Sequence, residues 1–292
     1  MYYPYFRGKQ YDLLALIELS QQNLLSKAIC PIIEPVKNSV QLKKFIQEFE
    51  ANGQPYFVIE NPEYGDFLTE AGTDQLRSLT QSRARILDCT LEELEDALEL
   101  VIAKDSTWVS LSDWQNNQRL VVTPYEFRIL NQLQGPLIIS DDPFTRLPSS
   151  QSYQELPEEA FSERLSNYQK LGFAGFSDYS IDTRYYSERG YPSRFLSVHL
   201  VYPFEGEVRI RHFLSIEELP TQKDKSMQMM EEVEKWQAEL GESVQTYGLQ
   251  RLLDAAKAEK FPGMGNMRKA AVMHHLEIMS KHLTAQAQHD LE

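Results

Sequence analysis

Several carboxylates in this sequence follow or interrupt short apolar segments, and two histidines lie inside such segments. The carboxylates are Glu34, Asp88 and Asp178, and the histidines are His199 and His212. Carboxylate oxygens joined by one or two imidazoles suit a hard divalent cation such as Mg²⁺ or Mn²⁺. They also suit general acid–base chemistry, because clustered like charges raise the pKa of one member. The sequence therefore predicts Glu34, Asp178, His199 and His212 as catalytic candidates, and Glu34, Asp88 and Asp178 as metal ligands.

These carboxylates also have a structural interpretation. Asp and Asn are favoured after strands because they cap helices and accept hydrogen bonds in turns, which would explain Asp88. Glu34 lies inside an apolar segment, and a carboxylate buried there needs a partner. A functional role and a salt bridge to an Arg or Lys are both open for Glu34. Lys37 and Asn61, at the ends of the first two predicted strands, are candidate contacts to a ligand or a partner.

The two histidines belong to segments that are predicted to form neighbouring strands. Residues Phe195–Tyr202 and Val208–Leu214 are separated by a turn signal that ends at Gly206. Antiparallel pairing across this turn would bring His199 and His212 within a few residues of each other. A core histidine with satisfied hydrogen bonds is the alternative interpretation for each of them.

A loop between residues 182 and 191 mixes arginines with tyrosines. Its candidate contacts are Arg184, Tyr185, Arg189 and Tyr191. Such a mixture can hold a phosphate, a carboxylate or a stacked base. Tyr and Arg are also enriched at protein interfaces, so ligand binding and partner binding are both open for this loop.

These residues are placed on a regular alternation of strand and helix patterns. Such alternation with short connections favours a parallel sheet covered by helices. The predicted strands before the hairpin are Ala28–Val36, Tyr56–Glu60, Arg85–Cys89, Thr107–Leu111, Leu120–Thr123, Pro136–Ser140 and Phe173–Ser177. The predicted helices are Tyr11–Leu25, a helix with Leu42 and Phe49 on one face, Thr73–Ser82, Leu91–Ala103, Glu126–Leu133, Glu158–Leu171, Met227–Leu240, Val244–Lys260 and Asn266–Gln286.

The number of strands indicates a closed arrangement with one irregular part. Thr107–Leu111 and Leu120–Thr123 are too close to hold a crossover helix, and they read as a hairpin or an irregular pair. We therefore predict an α/β fold with a distorted TIM-barrel-like domain at residues 1–220. The C-terminal helices, at residues 221–292, would pack on this domain or serve association. An open mixed α/β sheet is the alternative.

The composition is that of a globular protein, with 42% apolar and 25% charged residues. Lys and Arg number 29 against 43 Asp and Glu, a net charge of −14, which opposes non-specific binding to nucleic acid or anionic membranes. Cys30 and Cys89 lie in apolar segments, as is typical of reduced, buried thiols. The sequence has no apolar run of about 18 residues. A cytoplasmic protein without membrane insertion is expected.

Short motifs along nearly the whole chain resemble the Beta-protein family of phages and bacteria. They are Tyr2–Lys9, Pro31–Lys37, Asn61-Pro62 with Gly65, Gly175–Asp178, the strand around His199, Arg211–Phe213 and His274-His275. The family has no settled activity or cofactor to carry over to these residues. The resemblance implies a mobile-element context, and with it a component of anti-phage defence that acts with a protein partner such as a nuclease-like neighbour.

Three functions are open from the sequence. The first is the defence component that binds a partner protein, and the second is a metal-dependent TIM-barrel hydrolase or phosphodiesterase with strand-end carboxylates and histidines. The third is a sensor that binds a small ligand at the barrel mouth. The fold alone does not separate them, because barrels host unrelated functions. Catalysis and self-association are likewise left open.

Overall fold

The computed structural model describes residues 1–162, 164–186 and 194–289. In chain order the strands are β1 (Tyr5–Phe6), β2 (Ile32–Ile33), β3 (Phe57–Ile59), β4 (Arg83–Ile86), β5 (Leu100–Ile102), β6 (Leu120–Pro124), β7 (Leu137–Ser140), β8 (Glu158–Ala160), β9 (Gly175–Ser177), β10 (Ser197–Phe204) and β11 (Glu207–Leu214). The helices are α1 (Gln10–Gln21), α2 (Val40–Ala51), α3 (Glu70–Leu79), α4 (Ser106–Leu111), α5 (Phe127–Leu130), α6 (Gln222–Leu240), α7 (Tyr247–Lys257) and α8 (Met264–His289). Short 3₁₀ turns are formed by Leu91–Glu93, Ser150–Gln154 and Gly241–Val244.

The chain divides into two compact units that are each built from several segments. The first unit comprises Met1–Leu13, Ser26–Asp142 and Arg164–Tyr179. The second unit comprises Leu14–Leu25, Pro143–Glu163 and Ser180–Glu292. The boundary expected at residue 220 stays a prediction. No helix within the described ranges has both the length and the apolar character needed to cross a bilayer.

The first unit is a nearly closed barrel of eight parallel strands. Their order is β1-β2-β3-β4-β5-β6-β7-β9. Phe176 of β9 bridges back to Tyr2, and the Tyr3 N–H donates to the Phe176 carbonyl at 2.7 Å. The carboxyl ends of the strands therefore meet at one mouth. This confirms the predicted α/β class and the distorted TIM-barrel-like fold over the open sheet.

Both faces of the barrel strands are covered by apolar side chains. Leu100 and Ile102 of β5 belong to the cluster inside the barrel, together with Tyr5 from β1. Val101 points the other way and belongs to an outer cluster that includes Trp114. Strands buried on both faces read as continuous apolar runs, which explains why most of them were recognisable from the sequence.

The crossover helices shorten along the chain, and this distorts the barrel. Helix α2 begins at Ser39, whose side chain accepts the Leu42 N–H, and it buries Phe45 and Phe49 among others. The later connections hold only a 3₁₀ turn, the six-residue α4 and the four-residue α5. The irregular part expected around residues 107–123 therefore belongs to a longer region in which the crossover helices are short.

Two predicted segments in this region are wrong. The predicted helix Leu91–Ala103 is a 3₁₀ turn followed by β5, although a capping box between Thr90 and Glu93 is present. The leucines are spaced as in an amphipathic helix. The segment nevertheless forms a strand, because the two faces of that strand pack into the apolar clusters inside and outside the barrel. The predicted strand Thr107–Leu111 is helix α4, because Asp105 caps it by accepting the Thr107 N–H. No hairpin forms there, and β5 pairs with β6 in parallel.

The second unit contains an antiparallel sheet of order β10-β11-β8 and the helices α6, α7 and α8. The predicted hairpin is confirmed: Glu205 and Gly206 have φ values of 49° and 84°, as a type I′ turn requires. The predicted helix Glu158–Leu171 is wrong, because Glu158 begins strand β8 and pairs with Arg211. The predicted C-terminal helices are present as α6, α7 and α8.

Candidate functional site

The candidate site starts from two histidines that face each other across the hairpin of the second unit. His199 of β10 and His212 of β11 are register partners, so their side chains share one face of the sheet. Their Nδ1 atoms are 2.7 Å apart, a hydrogen bond in which one ring donates and the other accepts. The structure thus brings together the two histidines that the sequence singled out.

Glu159 of β8 extends this pair into a chain of three groups. Its Oε1 lies 3.3 Å from His212 Nε2. Thr145 fixes the carboxylate by donating its backbone N–H at 3.0 Å and its hydroxyl at 2.7 Å. Burial alone would raise the pKa of Glu159, but the hydrogen bonds from His212 and Thr145 outweigh burial and lower it. Glu159 is therefore ionised at neutral pH.

The ionised carboxylate of Glu159 constrains where the protons lie in the hydrogen-bonded series of Glu159, His212 and His199. An ionised carboxylate only accepts hydrogen bonds, so His212 donates its Nε2–H to Glu159. If His212 carries a proton only at Nε2, it accepts at Nδ1, and His199 donates its own Nδ1–H. In that tautomer His199 Nε2 carries a lone pair, not a proton.

Two aromatic rings enclose the histidines. The Phe144 ring centroid lies 5.4 Å from that of His199, and the Tyr153 centroid lies 4.4 Å from that of His212. Tyr153 is held by donating its hydroxyl to the Thr145 carbonyl at 3.0 Å. Burial, with smaller effects from His212 and from the charge of Arg268, lowers the pKa of His199 to about 3. His199 is therefore neutral at physiological pH.

His199 lines a cavity of about 490 Å³ within the second unit. This volume lies in the range of about 300–1,000 Å³ that is usual for small-ligand sites. Arg268 of α8 donates to Asp182 at 2.9 Å in the wall of the cavity. The other lining residues are Phe144, Tyr153, Ile181, Thr183, Ser197, Val198, Met264, Gly265 and Ala271. The cavity is mainly apolar, with one neutral imidazole and one internally balanced ion pair.

Glu34 lies fully buried in the first unit, where it forms a salt bridge with Arg7. Its two oxygens also accept the Tyr5 hydroxyl at 2.7 Å and the Glu63 N–H at 2.8 Å. The Arg7 guanidinium lies 5.2 Å from the Tyr5 ring centroid and 5.7 Å from that of Tyr179. Arg7 is thus the salt-bridge partner that the sequence left unidentified.

The remaining predicted carboxylates have separate partners. Asp178 is fully buried in the first unit and accepts the Tyr2 hydroxyl at 2.7 Å. Asp88 accepts two hydrogen bonds from Arg85, both at 2.9 Å. The part of the chain that the structure describes has no group of three or more His, Cys, Asp or Glu residues placed to hold a metal. The structure therefore does not assemble Glu34, Asp88 and Asp178 as a ligand set.

The residues predicted to contact a ligand or a partner are found in different settings. Lys37 is exposed, and the Asn61 side chain is bonded to both backbone groups of Ile86. The Arg184 guanidinium stacks 4.9 Å from the centroid of the Tyr185 ring. Arg189 and Tyr191 lie outside the described residues. Of the four catalytic candidates, Glu34 and Asp178 belong to the first unit, while His199 and His212 belong to the second.

Sequence reasoning missed Glu159 and Arg268. Glu159 lies in a segment whose pattern predicts a helix, and only its pairing with β11 places it near His212. Arg268 lies on α8, distant in sequence from the Asp182 that it binds. A strand assignment for residues 158–160 would have been the signal for Glu159, whereas the sequence holds no comparable signal for Arg268.

The fold defines the first unit as a distorted TIM-barrel-like α/β domain, and the second unit carries the histidine cavity. The chain matches no protein-family model and shows no significant similarity to a curated protein. A functional argument therefore depends on the chemistry of the site, because barrels host many unrelated functions.

Proposed function

We propose that the protein is a small-molecule-binding component whose second unit recognises a neutral ligand through His199. The observation that carries this proposal is the hydrogen-bonded chain from Glu159 through His212 to His199, which lines a cavity of about 490 Å³. The proposal takes the tautomer in which His199 Nε2 bears a lone pair, so that this nitrogen accepts an O–H or N–H of the ligand. Thr145 supports recognition by fixing the carboxylate at the far end.

The low pKa of His199 favours recognition over proton transfer. With a pKa of about 3, protonating His199 at neutral pH costs about 5 kcal/mol, since each unit of pKa corresponds to roughly 1.4 kcal/mol. A general base works best when its pKa lies near the operating pH. Accepting a hydrogen bond carries no such cost, so the electrostatics of the site support binding more directly than catalysis.

The cavity walls indicate the class of ligand. Arg268 is balanced by Asp182, so the cavity does not require a charged ligand. Apolar walls that include Ile181 and Met264 favour a compact apolar body. The ligand that fits is neutral and mainly apolar, with one hydroxyl or N–H donor directed at His199.

A pair of simple probes tests this proposal. Phenol has an O–H donor that its methyl ether, anisole, lacks. We expect the full chain to bind phenol more tightly than anisole in calorimetry, and the His199→Phe variant to lose this preference because the acceptor is gone. His282→Asn is the control, since His282 lies on α8 but does not line the cavity. Equal binding of phenol and anisole by the unaltered protein would overturn the proposal.

A hydrolase is the second candidate, favoured by the carboxylate–imidazole–imidazole arrangement. His199 Nε2 would take a proton from water as the water oxygen bonds to a substrate carbonyl carbon. The tetrahedral intermediate would then break its bond to the leaving group, which would receive the proton from His199. Glu159 would stabilise the charged His199 through His212. The described residues offer no metal ligand set, so we propose this candidate without the metal predicted from the sequence. Turnover of p-nitrophenyl acetate that disappears in His199→Phe would favour it.

The resemblance to the Beta-protein family suggests the biological setting. We propose that ligand binding is coupled to a protein partner in anti-phage defence, with support from the motifs quoted from the sequence. Exposed aromatic residues of the first unit, Tyr125 and Phe127, would suit a protein contact. Plaque counts on cells that carry the unaltered protein or His199→Phe, with co-purification from the native host, test this. A protein that purifies alone and leaves plaque counts unchanged contradicts it.

A further inference from the structure

A second cavity lies at the carboxyl ends of three consecutive strands in the first unit. Its volume is about 850 Å³, and its lining comes from the segments that follow β3, β4 and β5. The loops at this end of a parallel barrel converge, which is why barrels bind ligands there. The cavity is separate from the histidine site and shares no lining residue with it.

The polar groups of this cavity are fixed before any ligand arrives. Asn61 donates to the Ile86 carbonyl at 2.8 Å and accepts the Ile86 N–H at 2.9 Å. Arg85 holds Asp88 through two hydrogen bonds of 2.9 Å. Groups held in this way lose little freedom on binding, which favours affinity. The cavity is therefore a preorganised polar surface.

The charges of the lining favour an uncharged ligand rich in hydroxyls. Arg85 is paired with Asp88, and Lys104 is paired with Glu63. The other two charged lining residues, Glu70 and Asp105, lie at the N-termini of α3 and α4, where the helix dipole favours a negative charge. An anionic ligand would have to displace a carboxylate from one of these pairs. A hydroxyl fits without displacement, because it donates to the carboxylate and accepts from the guanidinium at the same time. The ion pairs thus match alcohol groups better than phosphate or carboxylate.

Apolar side chains form the other wall of the cavity. Phe67, Leu68 and Trp108 line it, and Leu68 is 61% exposed. An apolar wall beside fixed polar pairs complements a ring with an apolar face and a hydroxylated edge. We propose that this cavity binds an uncharged saccharide, with its ring on Trp108 and Leu68 and its hydroxyls on the Arg85–Asp88 pair.

Saturation-transfer-difference NMR on the full chain tests the proposal, with glucose, N-acetylglucosamine, ribose and maltotriose as separate probes. We expect saturation transfer to at least one sugar. Asp88→Asn and Leu68→Ser should each lower the affinity for that sugar roughly tenfold or more. The first variant loses a charged hydrogen bond, and the second loses the contact with the sugar ring. Phe127→Ser is the matched control, since Phe127 is 82% exposed and lies outside the cavity. His199→Phe should leave sugar binding unchanged, which separates this proposal from the one for the second unit.

Three results would overturn the saccharide site. The first is the absence of transfer to all four sugars. The second is sugar binding that neither Asp88→Asn nor Leu68→Ser weakens. The third is binding of spermidine or inorganic phosphate, but of no sugar, that these two variants abolish. Asp88 and Leu68 are both exposed, so both variants should fold, and circular dichroism checks that they do.

Discussion

Three histidines of the second unit are held neutral by burial, and we expect them to make its stability depend steeply on pH. Burial lowers the pKa of His199 and of His275 to about 3 and that of His274 to about 4. His274 lies 2.7 Å from both the Thr246 hydroxyl and the Val201 carbonyl. These contacts hold the His274 ring in place, and the bond to Val201 offsets only part of the cost of a buried positive charge.

The sign of the effect follows from comparing the folded and unfolded chains. An unfolded histidine has a pKa near 6.5, so below that pH the unfolded chain binds more protons than the folded one. The stability from each neutral histidine is therefore complete above about pH 6.5 and is lost as the pH falls towards the folded-state pKa. Burial also lowers the pKa of His282, which therefore acts in the same direction as the other three histidines. Burial raises the pKa of Glu277, and that group acts in the opposite direction because the folded state binds its proton more tightly.

The size of the effect can be worked out for moderate acidification. Between about pH 7.5 and about pH 5.5, each histidine that stays neutral when folded lowers the free energy of unfolding by about 1.4 kcal/mol. Three such histidines together give about 4 kcal/mol. This is a large part of the total stability of a typical domain, about 5–15 kcal/mol.

Urea unfolding at these two pH values measures the effect directly. In His275→Asn the difference between the two free energies of unfolding should fall from about 4 to about 3 kcal/mol, because one titrating group is gone. Any loss of packing that is independent of pH cancels in this difference. Ser280→Ala, also on α8, is the control and should keep the full difference. The reasoning is refuted if His275→Asn keeps it too, or if the unaltered protein changes by less than about 1 kcal/mol.

Three further changes test the packing and the site. Glu34→Gln removes one partner of a buried ion pair and should lower the free energy of unfolding by about 3–5 kcal/mol; a loss below about 1 kcal/mol in urea would contradict this. Gly248→Ala places a Cβ 2.3 Å from the His274 backbone nitrogen, so thermal melts should show a lower midpoint, and an unchanged midpoint counts against the close approach of α7 and α8. Thr145→Val frees one side of Glu159 and should reduce the preference for phenol over anisole; calorimetry that shows the full preference would refute a positioning role.

The barrel could be predicted from the sequence because its strands are buried on both faces. Short apolar runs such as Tyr56–Glu60 and Pro136–Ser140 contain the observed strands β3 and β7. The misassigned segment Leu91–Ala103 shows the limit of this reasoning. Its leucines repeat at helical spacing, but the segment enters the barrel as β5, where neighbouring strands provide the hydrogen bonds. The spacing of apolar residues within one segment does not show whether neighbouring strands will pair with it.

The histidine pair could be predicted because it depends on local structure, whereas the rest of the site could not. The turn at Glu205 and Gly206 fixes the register that places His199 opposite His212. Glu159 reaches them only through the pairing of β8 with β11, a contact distant in sequence. Pairings of this kind leave little signal in a single sequence, and so Glu159 was not predicted as part of the site.

The carboxylates that first suggested chemistry are mostly engaged by arginines. Glu60, which was not one of those candidates, shows the same pattern most clearly: it is buried and accepts hydrogen bonds from Arg77, Arg83 and Arg85 on its two oxygens. Both oxygens of Glu34 are bonded as well. An oxygen that already accepts strong hydrogen bonds in a buried setting is a poor ligand for a metal or a substrate, because binding must first break those bonds. His199 differs because it lines a cavity, and in the proposed tautomer its Nε2 retains a lone pair. The chemistry open to this protein thus depends on which polar atoms still have a lone pair that can accept a hydrogen bond from a ligand.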